Sequence, residues 1–269
     1  MIDRSALRRL FCPLLLFLLF FSQCAAHAGP PPEKWRILVD KTFMYMNEDQ
    51  PLTEAQVGKT AEAGFNVIVP RRGGGDMEFL ENCARWAQEN DLSFMPWMRG
   101  TRPADGAPQM TWADGTVTPI CSPTSDELWN WMTRRITGYA RLSTRIDSVM
   151  GVFLDYEIYA HPKRGNGYSL SYDRSILDEF AAAHGVDIPA LEPGQRRDWL
   201  IKEGLHEKFA AFQVERWRAR CRALRRKVDD INPRFRFCVY PAPGTPFLRK
   251  AAYPEWATDA APIILADHS

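Results

Sequence analysis

The sequence predicts an α/β fold, a parallel (β/α)8 barrel of TIM type that this chain carries through about six strands. Three observations point there. Short apolar runs alternate with helical patterns from residue 36 onward, and that order specifies parallel strands joined by right-handed crossovers. Once a leader is set aside, about 240 of the 269 residues remain, enough for one large α/β domain with its own core. The first apolar run leads into Lys41-Thr42-Phe43-Met44, where the competing architecture, an open doubly wound sheet, would carry a glycine-rich turn.

Residues 1–28 read as a signal peptide. Arg4, Arg8 and Arg9 form a basic start, Leu10 to Phe21 is an apolar run broken only by Cys12 and Pro13, and Ala26-His27-Ala28 is a small-x-small cleavage site. That run is shorter than the ~20 residues of a membrane span, so a cleaved leader, a domain over 29–269 and a secreted or periplasmic location are expected. Two minority readings are a twin-arginine signal at Arg8-Arg9 and a lipoprotein box ending at Cys24, where Gln23 is the wrong size. Without the leader's three arginines and one aspartate, 31 basic residues face 32 acidic ones. Near-neutral charge argues against nucleic acid or an acidic membrane surface as partner. Cys83, Cys121, Cys221 and Cys238 are too scattered for a metal site, and either disulfides or four buried thiols fit them.

Arg36 to Phe43 is the first strand. Thr53 with Gln56 makes a capping box for a helix whose inner face runs through Val57, Ala61 and Gly64. Phe65 to Pro70 is strand two, and Asp76 to Asn90 its helix, with Met77, Leu80, Ala84 and Ala87 at helical spacing. Leu92 to Met98 is strand three, followed by a polar insertion, Arg99 to Pro119. Thr124 with Glu127 caps a helix to about Leu142, and Gly151 to Tyr159 is strand four. Short helical pieces around Ile176 to Ala183 precede a long helix, Leu205 to Asp230, whose Phe209, Phe212, Trp217, Leu224 and Val228 point toward the sheet. Arg234 to Tyr240 is strand five, Phe247 to Thr258 a helix, and Pro262 to Ala266 strand six. That last strand would be an uncovered edge, and eight strands need two further strand-helix units, so the sequence is expected to be a piece of the whole barrel.

Strand four holds the chemistry. Alternation puts Val152, Leu154, Tyr156 and Ile158 on one face and Gly151, Phe153, Asp155, Glu157 and Tyr159 on the other. In a barrel the apolar set lies under helices and both acids point inward, toward the strand's C-terminal end, where barrel enzymes keep their sites. The residues gathered at the strand ends are Asp40 and Lys41, Arg71 and Arg72, Trp97 and Arg99, Asp155, Glu157 and Tyr159, Tyr240, and Asp267 and His268. Acids, arginines and aromatic rings at one mouth suit a carbohydrate: rings stack on sugar C–H faces and carboxylates handle the glycosidic oxygen's proton. The two acids' Cα atoms would be roughly 6.5 Å apart. Desolvation and mutual repulsion raise the pKa of one member of such a pair. Glu157, nearer the mouth, is the expected acid/base and Asp155 its partner, with Asp40, Arg71, Arg72, Trp97, Arg99, Tyr159, Tyr240 and Asp267 as substrate-binding residues. The alternative is that the pair only anchors Arg71, Arg72 or Arg99 inside the barrel.

Met150-Gly151-Val152-Phe153-Leu154-Asp155-Tyr156-Glu157 resembles the strand-four signature D-G-x-D-x-D-x-E of glycoside hydrolase family 18 chitinases. Gly151, Asp155 and Glu157 match; Met150 and Phe153 replace the first two acids. The resemblance implies that Glu157 is the acid, that Asp155 orients an acetamido group of the substrate, and that this group is the nucleophile. That family's strand-six Tyr-Asp pair falls on Ala266-Asp267, so only Asp267 matches. Barrel glycosidases more widely place an acid/base Glu at the end of strand four, which suits Glu157 without requiring an N-acetyl sugar. No cofactor and no metal are expected: His161 and His268 fall near the mouth without an H-x-H or H-E-x-x-H companion, and no G-x-S-x-G elbow occurs. Arg71 to Asp76 could hold an anion at a helix start or be a plain turn, and Trp112 could be a sugar platform or a fastening for its loop. A glycan-binding barrel without hydrolysis and a metal-dependent hydrolase remain the alternatives.

Overall fold

The structure is a computed structural model that describes residues 34–39, 52–71, 75–158, 161, 168–241, 245 and 247–267. The chain divides into two compact units, Met1–Trp35 and Arg36–Ser269, and all that follows concerns the second. Its elements in order are β1 (Ile37–Val39), α1 (Glu54–Glu62), β2 (Val67–Val69), α2 (Met77–Glu89), β3 (Ser93–Phe94), β4 (Trp97–Arg99), β5 (Gln109–Thr111), β6 (Val117–Cys121), α3 (Asp126–Leu142), β7 (Gly151–Asp155), α4 (Arg174–His184), α5 (Arg196–Lys202), α6 (His206–Asp229), β8 (Arg236–Tyr240), a π-helical turn (Leu248–Ala252), α7 (Tyr253–Trp256) and β9 (Ile264–Leu265).

Two parallel ladders, β1-β2-β3 and β4-β7-β8-β9, carry the domain. They meet at Pro96, which has no N–H to give to a ladder. On either side of it the chain changes partner: the Met95 amide donates to Ile68 O at 3.2 Å, while Met150 donates to Phe94 O at 3.1 Å and Phe153 to Pro96 O at 3.0 Å. One kinked strand therefore joins both ladders, and the parallel strands follow chain order without the reversal that a doubly wound sheet requires. The fold is thus mixed α/β with parallel strands in barrel order. Among the described residues no pairing joins β9 to β1, so the part of a barrel expected from the sequence, about six strands, does not close.

Alternation along the strands separates two buried faces. Ile68, Phe94, Met98, Val152, Leu154, Phe237 and Val239 pack with Leu80, Ala84, Met132, Ile136, Trp217 and Leu224 of α2, α3 and α6 in the main core. Tyr156 and Ile158 continue that face beyond the end of β7. The intervening Val67, Val69, Met95, Phe153 and Cys238 are buried on the opposite face. A parallel sheet covered on both faces needs such continuous apolar runs.

Local chemistry fixes the helix starts. Thr53 and Gln56 form the expected capping box of α1, and the Asp76 carboxylate accepts from the Glu78 and Phe79 amides at the start of α2. The cap of α3 is Ser125, not Thr124, with its hydroxyl accepting from the Leu128 amide at 3.3 Å. Phe209 and Phe212 of α6 do not reach the sheet. They pack with Phe180 and Leu200 in a second, smaller core, because α4 and α5 form a layer over the first half of α6. His184 sits edge-on to Phe180 in that layer.

The polar insertion after β4 contains the β5–β6 hairpin. Trp112 is buried in it, its indole donating to Thr118 Oγ1 at 3.2 Å, which makes it a fastening for its loop. Ser171 ties the hairpin to the helical layer: its hydroxyl accepts from the Thr111 amide at 3.2 Å, and the Gln213 carboxamide bonds its N–H and carbonyl at 3.0 and 2.9 Å. All four described cysteines are buried free thiols. Among the described residues no helix is long and apolar enough to cross a membrane.

Gly151 opens β7 where a Cβ would meet Arg236 O at 2.1 Å. Gly151→Ala must push β7 and β8 apart, and a loss of about 2–3 kcal/mol in denaturant unfolding is expected.

Candidate functional site

The last residue of β7 is Asp155, so Glu157 lies two residues beyond the strand. The backbone nevertheless stays in the sheet for one more step. Gly100 donates its N–H to Asp155 O at 2.6 Å, and Tyr156 donates its own to Tyr240 O at 2.7 Å. Gly100 is required there, since a Cβ would lie 2.2 Å from the Tyr156 ring. With Tyr156 held in the core, its neighbours Asp155 and Glu157 must face the other way.

Asp155 is 1% exposed and fully engaged. Its Oδ1 accepts from the Glu157 amide at 2.9 Å, and its Oδ2 lies 3.9 Å from Arg99 Nη1. Arg99 Nη1 also donates to the Glu157 carbonyl, so one acid and one guanidinium pin both sides of the Glu157 backbone. Burial pushes the Asp155 carboxyl above the ordinary aspartate range, against the opposing pull of the Glu157 amide and Arg99; repulsion from Glu157 is a lesser contribution. The raised member of the pair is therefore the deeper acid, and desolvation more than like charge is the cause.

Glu157 is 7% exposed, and Tyr240 donates its phenol to Glu157 Oε1 at 3.4 Å. Strand register explains the meeting. Trp97 and Arg99 of β4 lie level with Phe153 and Asp155 of β7, and Tyr240 of β8 lies level with Asp155. Phe153, which stands where the family signature has an acid, instead stacks on the Tyr240 ring with centroids 5.9 Å apart. At the ends of β2 and β4, the guanidinium carbons of Arg71 and Arg99 lie 5.5 and 5.3 Å from the Trp97 ring centroid.

Asp155, Glu157, Arg71, Trp97, Arg99 and Tyr240 thus stand together. Asp267 is exposed past β9, where the register puts Ala266, not Asp267, level with Tyr240. Asp40, Arg72 and Tyr159 lie outside the described residues, as do Lys41 and His268. His161 has a partner that the sequence did not disclose: its Nε2 is 3.1 Å from Asp114 Oδ2, and its ring meets Trp112 edge-on at 5.0 Å. The only hint was the Asp114-Gly115 turn, far away in sequence. No group of three metal-ligating side chains converges among the described residues. The cluster brings two carboxylates, two guanidinium groups, an indole and a phenol together at one set of strand ends.

No family model matches the sequence, and no curated protein matches it. Solved structures give a partial likeness. A β-galactosidase from the psychrophilic Marinomonas ef1 is 12% identical, with 70% of this chain and 35% of that chain covered and a TM-score of 0.47. An exo-β-agarase is 13% identical, with 77% of this chain and 32% of that chain covered and a TM-score of 0.42. The chain spans about a third of the length of each. Likeness at that level fixes neither activity nor site.

A buried carboxyl with a raised pKa holds its proton more tightly folded than unfolded, so it costs stability as pH rises from about 4 toward its folded value. Asp155→Asn removes that cost. Between pH 4 and 7 the melting temperature of the variant is expected to rise relative to the native chain, and parallel curves would show that the carboxyl is not perturbed.

Proposed function

We propose that the chain is the core of an exported glycoside hydrolase of (β/α)-barrel type, acting on a poly- or oligosaccharide with Glu157 as general acid/base and Asp155 as its partner. The observation that supports this reading is the fixing of one carboxylate at a strand's C-terminal end: the Glu157 amide is held by Asp155, its carbonyl by Arg99 and its carboxylate by Tyr240. Glu157 gives its proton to the leaving glycosidic oxygen as the C–O bond breaks, and then takes one from the incoming water. Asp155, with both oxygens occupied, acts through Glu157 as a positioning residue. Trp97 offers an aromatic face and Arg71 a cation beside it.

A second reading has its own support. The buried carboxylates among the described residues are Asp155, Glu157 and Asp173, and Asp173 caps α4 through the Ile176 amide. A barrel that binds glycans without cleaving them would need no second reacting acid.

Glu157→Gln separates the two. In full-length protein, sugar release is expected to fall by about 10²–10⁴-fold while circular dichroism and melting temperature hold. Unchanged release would sink the assignment of Glu157. Glycan affinity without release in either protein would favour the binding reading.

A further inference from the structure

We propose that Arg71, Arg99 and Trp97 form a subsite for an anionic sugar, one bearing a carboxylate or a sulfate ester beside the ring that stacks on the indole. The inference rests on the glycan-site reading above and goes further by naming the charge of the ligand.

Two guanidinium groups share one indole, each within cation–π distance of it. They come from the ends of two different strands and not from one local turn. Their surroundings differ. Arg99 is committed to the Glu157 carbonyl and lies beside the Asp155 carboxylate. Arg71 is half-buried, and among the described residues no carboxylate lies within ion-pair distance of it; its contact is the Trp97 ring. It shares the Trp97 ring with Arg99, the guanidinium that stands beside the Asp155 carboxylate. Trp97 adds a second unmet demand, since its Nε1 is buried without a hydrogen-bond partner.

Among the described residues neither the half-buried cation nor the indole N–H has an acceptor, and one from outside the chain would serve both. A neutral sugar offers hydroxyl oxygens, whereas a uronate or sulfate offers charged oxygens in the planar or tripodal arrangement that guanidinium donors match. Among the described residues the two nearby carboxylates have other partners. Asp155 is spent on Glu157 and Arg99, and Glu157 is engaged by Tyr240.

The test uses full-length protein carrying Glu157→Gln, so that nothing is turned over, and follows the Trp97 indole N–H by NMR. Probes are glucuronate, galacturonate and mannuronate, each against its methyl ester, and galactose 6-sulfate and glucose 6-sulfate against the free sugars. At least one anionic probe is expected to shift the Trp97 signal and to bind about tenfold tighter than its neutral counterpart. Arg71→Gln should remove that preference, and Arg71→Lys should keep part of it. The uronate and sulfate arms show which anion is preferred. Equal binding of charged and neutral members, binding of neither, or a preference that survives Arg71→Gln overturns the inference. Hydrolysis assays on the native protein stand apart from this result: a glycosidase without charge preference would retain the activity reading and lose this one.

Discussion

The interaction on which this site depends is the pair of backbone hydrogen bonds that carries the sheet past the end of β7. Gly100 gives its N–H to Asp155 O and Tyr156 gives its own to Tyr240 O, so the chain is held from β4 on one side and from β8 on the other. Extended geometry is thereby imposed on residues that no longer belong to a strand. Once Tyr156 is committed to the helix-covered core, Asp155 and Glu157 have no freedom to turn toward it. The direction of the acids is a property of the sheet, and the side-chain bonds of Arg99 and Tyr240 refine it.

The same geometry explains why a buried carboxyl is tolerated. An ionised Asp155 without partners would be costly in this layer, since Phe153 is its neighbour along the inner face and Tyr240 lies beside it. One donor, the Glu157 amide, and the charge of Arg99 offset the cost, and burial still prevails. The acid stabilises the conformation of its own chain two residues on, which makes Asp155 and Glu157 a single unit. Single replacements within such a unit do not add independently.

Much of this was legible in the sequence, for identifiable reasons. The period-two pattern from Val152 to Ile158 assigned every residue of β7 to its face, because one face is wholly apolar and a one-residue slip would bury two acids under helices. Collecting residues at strand ends brought Trp97, Arg99, Tyr240 and Arg71 to the acids, since parallel strands in chain order place their C-terminal ends at one rim. What escaped was non-local. The hairpin over residues 109–121 has little apolar alternation, its hydrophobic anchors being Met110, Trp112 and Cys121. The partner of His161 sits 47 residues earlier in the chain. The orientation of Phe209 depended on the layer formed by α4, which the sequence shows only as short helical pieces, and α5, which is short enough to pass for loop. Asp267 was drawn in by counting strand ends, but the β8–β9 register sets Ala266 at that level.

The hairpin has a consequence for how the domain comes apart. Ser171 and Gln213 bind it to the helical layer, Ser122 donates to the Asp173 carboxylate at 2.7 Å, and His161 meets it through Asp114 and Trp112. The chain leaving β4 and the chain leaving β7 are in this way stitched together, and Met110, Trp112 and Cys121 tie the hairpin into the main core as well. Amides of β5, β6 and α4 would then exchange with solvent together, and only in an opening that also uncovers the part of the main core they help to close.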